Sequence, residues 1–255
     1  MSAASLPTRL RAKIAESRAA DRAAEGRATV EVERDEAALA NRKRRSLSLA
    51  AAWRQFWNHP SPWIIAVTLA AALVARVLVG GFEMSDVVVA LLMVASFPLV
   101  EWCIHVAVLH LRPKKLGPVT FDLLLARKHR EHHADPRDLP LIFIPTQVLL
   151  FVLASQVLMV LFVFPALSVG LSYLLTLSVI GMTYEWTHYL IHTDYRPVSK
   201  GYRALWRNHR LHHYKNERYW FSLTTSGTSD RLFGTYPDPS ETATSLTARD
   251  LLGAG

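Results

Sequence analysis

The chain has 255 residues, and 51% of them are hydrophobic. Its mean hydropathy is +0.15 and its formal net charge is +8. That hydropathy is high for a soluble protein carrying so many charges, so apolar and polar residues must be segregated along the chain. A basic chain could bind nucleic acid, but here the basic residues flank long apolar segments. We therefore expect them to meet anionic lipid, and we expect no nucleic-acid partner.

The first part of the chain predicts two segments outside the membrane core. Residues 1–45 are rich in Ala, Arg and Glu without a sustained apolar face, which predicts a charged, partly disordered cytosolic arm. Residues 46–58 place Leu, Trp and Phe among polar residues, as in an amphipathic helix lying in the membrane interface. His59 opens the membrane-embedded domain, residues 59–255, as an interfacial residue and not a ligand.

Four apolar segments are long enough to cross a bilayer, because about 20 helical residues span a hydrocarbon core of about 30 Å. Arg76 lies near the end of the first segment. It is expected to extend to the far interface, with the interior of the helix bundle as the alternative. The predicted spans are about 63–82, 87–110, 141–164 and 166–192.

The distribution of basic residues predicts the topology, since Lys and Arg are retained on the cytoplasmic side. Of 29 Lys and Arg, 12 lie in residues 1–58, 7 in 111–140 and 9 in 193–255. Both termini are therefore predicted to be cytoplasmic, and the spans to form two hairpins. The expected architecture is an all-α integral membrane protein with a cytosolic helical cap, residues 111–140 and 193–238, and a C-terminal tail, residues 239–255.

The first part of the cap predicts a short helix along the membrane surface. An apolar patch at residues 121–125 leads directly into the basic and histidine-rich residues 127–133. Pro136 and Pro140 are expected to end this helix.

Ten of the 11 histidines fall into four groups, all placed by the predicted topology on one side of the membrane. Positions i, i+3 and i+4 share a helix face, so an H-x-x-H-H sequence presents its three imidazoles together. His105 and His110 diverge by about 140° on an ideal helix, which suits two different ions. The groups are His105/His110, His129/His132/His133, His188/His192 and His209/His212/His213.

Ten imidazoles are too many for one first-row metal ion and supply about five ligands to each of two. Imidazole binds iron, zinc, copper and nickel, so the ligands alone do not name the metal. The alternative is a set of unconnected surface histidines, which four groups on one side of the membrane make a poor explanation.

Three carboxylates are predicted to support the histidines. Glu101 precedes His105 by four residues, and Glu185 precedes His188 by three. Each is placed to accept the second ring N–H of a ligand, with direct ligation as the alternative. Asp230 could act in the same way, or it could form a turn and pair with the neighbouring arginine.

The order and intervals of these motifs resemble the fatty acid hydroxylase superfamily, which includes fatty acid 2-hydroxylases, sterol desaturases and carotenoid hydroxylases. The similar part covers residues 101–238, including the stretches at residues 206–220 and 230–237. The resemblance implies a multi-pass enzyme of the bacterial inner membrane or endoplasmic reticulum with a non-haem dimetal centre. It also implies one ion on His105, His129, His132, His188 and His209, and the other on His110, His133, His192, His212 and His213.

The reaction expected from this resemblance is O2-dependent hydroxylation of the hydrocarbon part of a membrane lipid, most simply a fatty acyl chain. The cofactors would be two iron ions, which zinc could replace in isolated protein. No cytochrome b5-like domain precedes the spans, so the electrons are expected from a separate redox protein of the ferredoxin or cytochrome b5 type.

A lipid or sterol desaturase with the same centre is the alternative. A metal transporter fits less well, since transport needs ligands near the bilayer midplane.

Overall fold

Four long apolar helices dominate the computed structural model, which describes residues 47–253. They fit the predicted mostly helical, multi-pass membrane protein; the predicted arm at residues 1–45 lies outside the described residues. The candidate spans are Pro60–Val79, Met84–Leu109, Leu139–Phe162 and Leu167–His192, with ends within three residues of those predicted.

In chain order the elements are α1 (Leu49–Phe56), α2 (Pro60–Val79), α3 (Met84–Ile104), the π-helical turn π1 (His105–Leu109), β1 (Lys114–Leu116), β2 (Val119–Phe121), α4 (Leu124–Ala134), α5 (Leu139–Ile142), α6 (Thr146–Phe162), α7 (Leu167–His192), α8 (Lys200–Tyr214) and α9 (Thr228–Leu232).

Helix α1 forms within the segment predicted to be amphipathic. Ser48 caps it, accepting a hydrogen bond from the Ala51 N–H at 3.2 Å. Its buried face, with Ala52 and Phe56, packs on α7, where the Tyr189 hydroxyl donates to the Ala52 carbonyl at 3.1 Å. The amphipathic pattern therefore serves to attach α1 to a span.

Helix α7 is the centre of the bundle, because α2, α3 and α6 each pack against it. Its 26 residues extend about 39 Å at 1.5 Å per residue, more than the hydrocarbon core requires. Near its start, a Cβ atom added to Gly170 would lie 2.9 Å from Cγ1 of Val160 on α6. Glycine here permits the close approach of the third and fourth spans.

Arg76 faces the interior, which corrects the expectation that it extends to the interface. Its side chain is fully buried and forms a 2.7 Å ion pair with Asp86. It also donates to the Ser172 hydroxyl at 2.9 Å and to the Gly80 carbonyl at 2.6 Å. The guanidinium therefore joins α2, α3 and α7, because a charge among apolar helices needs such partners.

The segment after the second span contains a β-hairpin, so the fold is mostly helical and not all-α. Strands β1 and β2 pair antiparallel, with Leu116 opposite Val119. Gly117 has φ +62° at the first position of the two-residue turn, where such hairpins favour glycine. The predicted surface helix follows as α4 and ends at Ala134, just before Asp135 and Pro136.

The remaining helices gather around the C-terminal ends of two spans. Helix α4 packs against π1, α8 against α7, and α9 against α3. This arrangement brings the histidines of α4 and α8 to those of the second and fourth spans.

Candidate metal centre

The second span ends in a π-helical turn that carries its two histidines. In π1, the His110 N–H donates to the His105 carbonyl at 3.2 Å, five residues back instead of four. The wider turn brings residues five apart onto one face, and the two imidazole centroids lie 5.2 Å apart. The prediction that His105 and His110 face two different ions is therefore wrong, because both rings lie in one group of candidate ligands.

All ten predicted histidines lie together in two groups of five. Within each group, one candidate ligand atom from every member lies within 4.8 Å of the others. Only one member of each group is partly exposed, His110 in the first and His192 in the second. The first group is His105, His110, His129, His133 and His212, and the second is His132, His188, His192, His209 and His213.

This division corrects the one implied by the resemblance, and helix geometry explains it. Residues four apart differ by about 40° around a helix, whereas residues three apart differ by about 60° in the opposite direction. His129 and His133 of α4 accordingly share the first group while His132 turns to the second. On α8, His209 and His213 share the second group and His212 turns to the first.

The spacing of the Nε2 atoms fits a metal ion in each group. In the first, Nε2 of His129 lies 3.1 Å from that of His133 and 3.3 Å from that of His110. In the second, Nε2 of His209 lies 3.0 Å from that of His192. Two nitrogens bound about 2.1 Å from one ion at a right angle lie about 3.0 Å apart.

Two further Nε2 atoms support this fit. Those of His105 and His188 are buried and have no hydrogen-bond partner among residues 47–253. Because buried polar atoms are normally paired, an ion in each group gives these two nitrogens the partner they lack.

Protonation does not compete with metal binding at these sites. Burial, followed by the charges of neighbouring imidazoles, holds the pKa of His129, His132, His209 and His213 well below the ordinary value. Burial also lowers the pKa of His133 to about 3. These side chains are therefore neutral at physiological pH, as a metal requires.

Backbone carbonyls fix the tautomer of some of the histidines. Nδ1 of His105 lies 2.7 Å from the Phe221 oxygen, and Nδ1 of His212 lies 2.8 Å from the Tyr219 oxygen. Since a carbonyl can only accept, each Nδ1 carries the hydrogen and each Nε2 keeps a lone pair. His133 makes the same bond to Ala248 at 2.8 Å, and the rings of His188 and His192 are hydrogen-bonded to the backbone of Ile142 and Pro136.

The three carboxylates bind backbone N–H groups, which corrects the contact predicted for them. Glu101 accepts from the N–H of Thr224 at 3.0 Å and from its hydroxyl at 2.8 Å. Asp230 accepts from the N–H groups of Phe221 and Ser222. Glu185 accepts from the N–H of Ile144 at 3.0 Å.

His59 lies outside both groups, as predicted, and its ring stacks on Phe143 with centroids 4.1 Å apart. The residues whose backbone carbonyls accept from the histidines could not be predicted, because a backbone oxygen leaves no trace in side-chain type.

The chain is similar to known proteins in sequence and in fold. The sequence profile described as fatty acid hydroxylase matches residues 88–235. The hydroxylase domain of Scs7p, the only visible part of a full-length structure, superposes with a TM-score of 0.57 at 20% identity. The alignment covers 74% of this chain and 69% of that one, which supports a shared fold. No curated protein matches the chain.

Proposed function

The chain belongs to the fatty acid hydroxylase family, and we propose that it uses O2 and a non-haem di-iron centre to hydroxylate a membrane lipid. The substrate carbon would lie in the lipid's hydrocarbon part, most simply a fatty acyl chain. Lipid hydroxylation in general follows from the family. The number and identity of the metal ions, the acyl substrate and the ligand residues are the proposal.

The observation that carries the proposal is the convergence of ten imidazoles on two centres. Five neutral histidines per group, with Nε2 atoms at ligand spacing, suit two ions of a first-row metal. Iron fits the reaction because zinc, which accepts the same ligands, has no redox chemistry.

An alkyl C–H bond has no acidic proton and no electrophilic carbon, so side chains alone cannot start the reaction. When bound, the metal ions supply the redox chemistry with O2. The protein would hold the ions through ten histidines, keeps Nε2 unprotonated on the rings whose Nδ1 donates to a backbone carbonyl, and buries eight of the ten rings. This enclosure excludes water from the site.

The proposed orientation places the histidine end of the bundle in the cytosol. Residues 1–58, 111–140 and 193–255 hold 28 of the 29 Lys and Arg, which favours two transmembrane hairpins with a cytosolic cap. A lipid chain would reach the centre from the bilayer along the ends of α3 and α7. A separate redox protein of the ferredoxin or cytochrome b5 type would supply electrons from the cytosol.

The position of the histidines argues against metal transport. Both histidine-bearing spans carry them in their last turns, and the other ligands come from α4 and α8, outside the spans. Transporter sites lie near the bilayer midplane, where access can alternate between the two sides.

Lipid mass spectrometry tests the proposal. Cells producing the chain should contain lipids heavier by one oxygen, and cells producing His209→Ala at the same level should lack them. A loss of two hydrogens would instead assign desaturation, the alternative outcome of the same centre. Unchanged lipids, in protein that contains two iron ions and is supplied with a reductant, would overturn the proposed function.

A further inference from the structure

Two buried carboxylates hold matching positions before the histidines of the second and fourth spans. Glu101 lies four residues before His105, and Glu185 lies three before His188. They are 5% and 1% exposed. An ionised group is costly at such a position, so each carboxylate needs strong partners nearby.

Glu101 and Asp230 together hold one short backbone segment, residues 221–224. Asp230 accepts from the N–H groups of Phe221 and Ser222 at 2.9 and 2.8 Å. Glu101 accepts from those of Leu223 and Thr224 at 3.2 and 3.0 Å. Four consecutive N–H groups are thus bound by two carboxylates, and the segment cannot shift without losing them.

The same segment orients His105. The Phe221 carbonyl accepts from its Nδ1 at 2.7 Å. This carbonyl belongs to the residue two positions before Leu223, whose N–H Glu101 binds. Glu101 therefore acts on His105 through the backbone, without touching the ring.

The backbone conformation at Trp220 allows the same segment to orient a second histidine, His212. It is fully buried with φ +56°, a conformation that bulky residues avoid unless the surroundings impose it. The carbonyls on either side, of Tyr219 and Phe221, bind His212 and His105, which both belong to the first group. The turn at Trp220 therefore serves a single metal centre.

The second group has the same relay in a shorter form. Glu185 accepts from the Ile144 N–H at 3.0 Å. The carbonyl two positions earlier, of Ile142, accepts from the ring of His188. Both groups therefore share one sequence of contacts. A carboxylate binds a backbone N–H, and the carbonyl two residues before that N–H binds the histidine that lies one turn after the carboxylate.

We propose that these carboxylates are positioning residues, each dedicated to one metal ion. Glu101 and Asp230 orient His105 and His212 of the first group, and Glu185 orients His188 of the second. The inference rests on the two-ion centre of the proposed function and adds an assignment of each carboxylate to one ion. Its consequence is that loss of one carboxylate weakens one ion and spares the other.

A Glu→Gln or Asp→Asn substitution tests this because it keeps the size of the side chain and replaces one carboxyl oxygen, an acceptor of N–H groups, with an NH2 group that can only donate. Partners beyond the direct ligands typically contribute about 10–100-fold to metal affinity. In full-length chain loaded with zinc, Glu101→Gln, Asp230→Asn and Glu185→Gln should each lower the affinity of one ion by about that factor. Titration with a chelator of known affinity measures both ions separately.

Pairing with ligand variants identifies which ion is affected. Glu101→Gln with His212→Ala, both acting on the first group, should retain one ion at its original affinity. Glu101→Gln with His209→Ala, acting on different groups, should retain no tightly bound ion. For Glu185→Gln the two results should be exchanged. Asp86→Asn, a carboxylate change at the opposite end of α3, should keep both ions.

The outcomes separate the inference from the proposed function. If the unmodified chain binds two ions and Glu101→Gln leaves both affinities unchanged, or lowers both equally, the dedicated roles are wrong. An equal loss of both ions would indicate a general structural role. If the unmodified chain does not bind two ions, the proposed centre itself is wrong.

Discussion

At the residue scale, the histidines of the two groups are all uncharged, but their rings have different hydrogen-bond partners. Burial lowers the pKa of His133 to about 3 and keeps that of His212 well below its ordinary range. Each of these rings also gives its Nδ1 hydrogen to a carbonyl, of Ala248 and of Tyr219. The protein therefore prepares uncharged, oriented imidazoles before any ion arrives, which reduces the cost of ordering them upon binding.

Substitution of single histidines should separate ligands from bystanders. His129→Ala and His212→Ala each remove one of five ligands from the first group and should reduce lipid hydroxylation to background. His59→Ala should retain most of the activity, because its ring stacks on Phe143 and belongs to neither group. Membrane yield and product formation are measured together. Equal inactivity of the His59 variant, at normal yield, would contradict the ligand assignment.

At the element scale, the spans and the H-x-x-H-H motifs could be predicted from the sequence because hydropathy and helical spacing are local properties. The π-helical turn at His105 could not be predicted. One extra residue in a helical turn rotates every later side chain to another face of the helix, but the apolar pattern of the sequence stays the same. The interior position of Arg76 also escaped prediction. Its partners Asp86 and Ser172 belong to two other spans, and only packing of the helices brings them together.

The contact between the third and fourth spans supplies a test at this scale. Gly170→Ala should destabilise the protein by about 1–3 kcal/mol, because the new methyl group meets Val160 at 2.9 Å. Gly181→Ala is the matched control on the same helix, where the nearest atom lies 4.0 Å away. There alanine should stabilise by up to about 1 kcal/mol through helix propensity. Thermal unfolding in detergent compares the two, and equal effects would mean that α6 and α7 do not pack closely at Gly170.

At the scale of the whole molecule, polar interactions concentrate at the two ends of the bundle. The Arg76, Asp86 and Ser172 side chains join three spans at one end. The histidines of α4 and α8 meet those of the second and fourth spans at the other. An apolar cluster of Ala72, Val160, Leu171 and Leu174 lies beside the Arg76 end, and α2, α3 and α6 each pack against α7. With the proposed ions bound, the histidine end would depend on them for part of its cohesion, whereas the opposite end would not.

Removal of metal should loosen the histidine end selectively. The histidines of the second group come from α4, α7 and α8, so an ion bound there would link elements distant in sequence. A ligand present at 100 times its dissociation constant stabilises the folded state by about 2.7 kcal/mol, and chelation should lower the unfolding temperature accordingly. Trypsin should then cut faster at the exposed Arg203 and Arg207 of α8, while Arg76 stays protected in the bundle. Zinc should reverse both effects, and magnesium, which prefers oxygen ligands, should not. Unchanged unfolding and cleavage after complete metal removal would show that the covering helices hold together without ions.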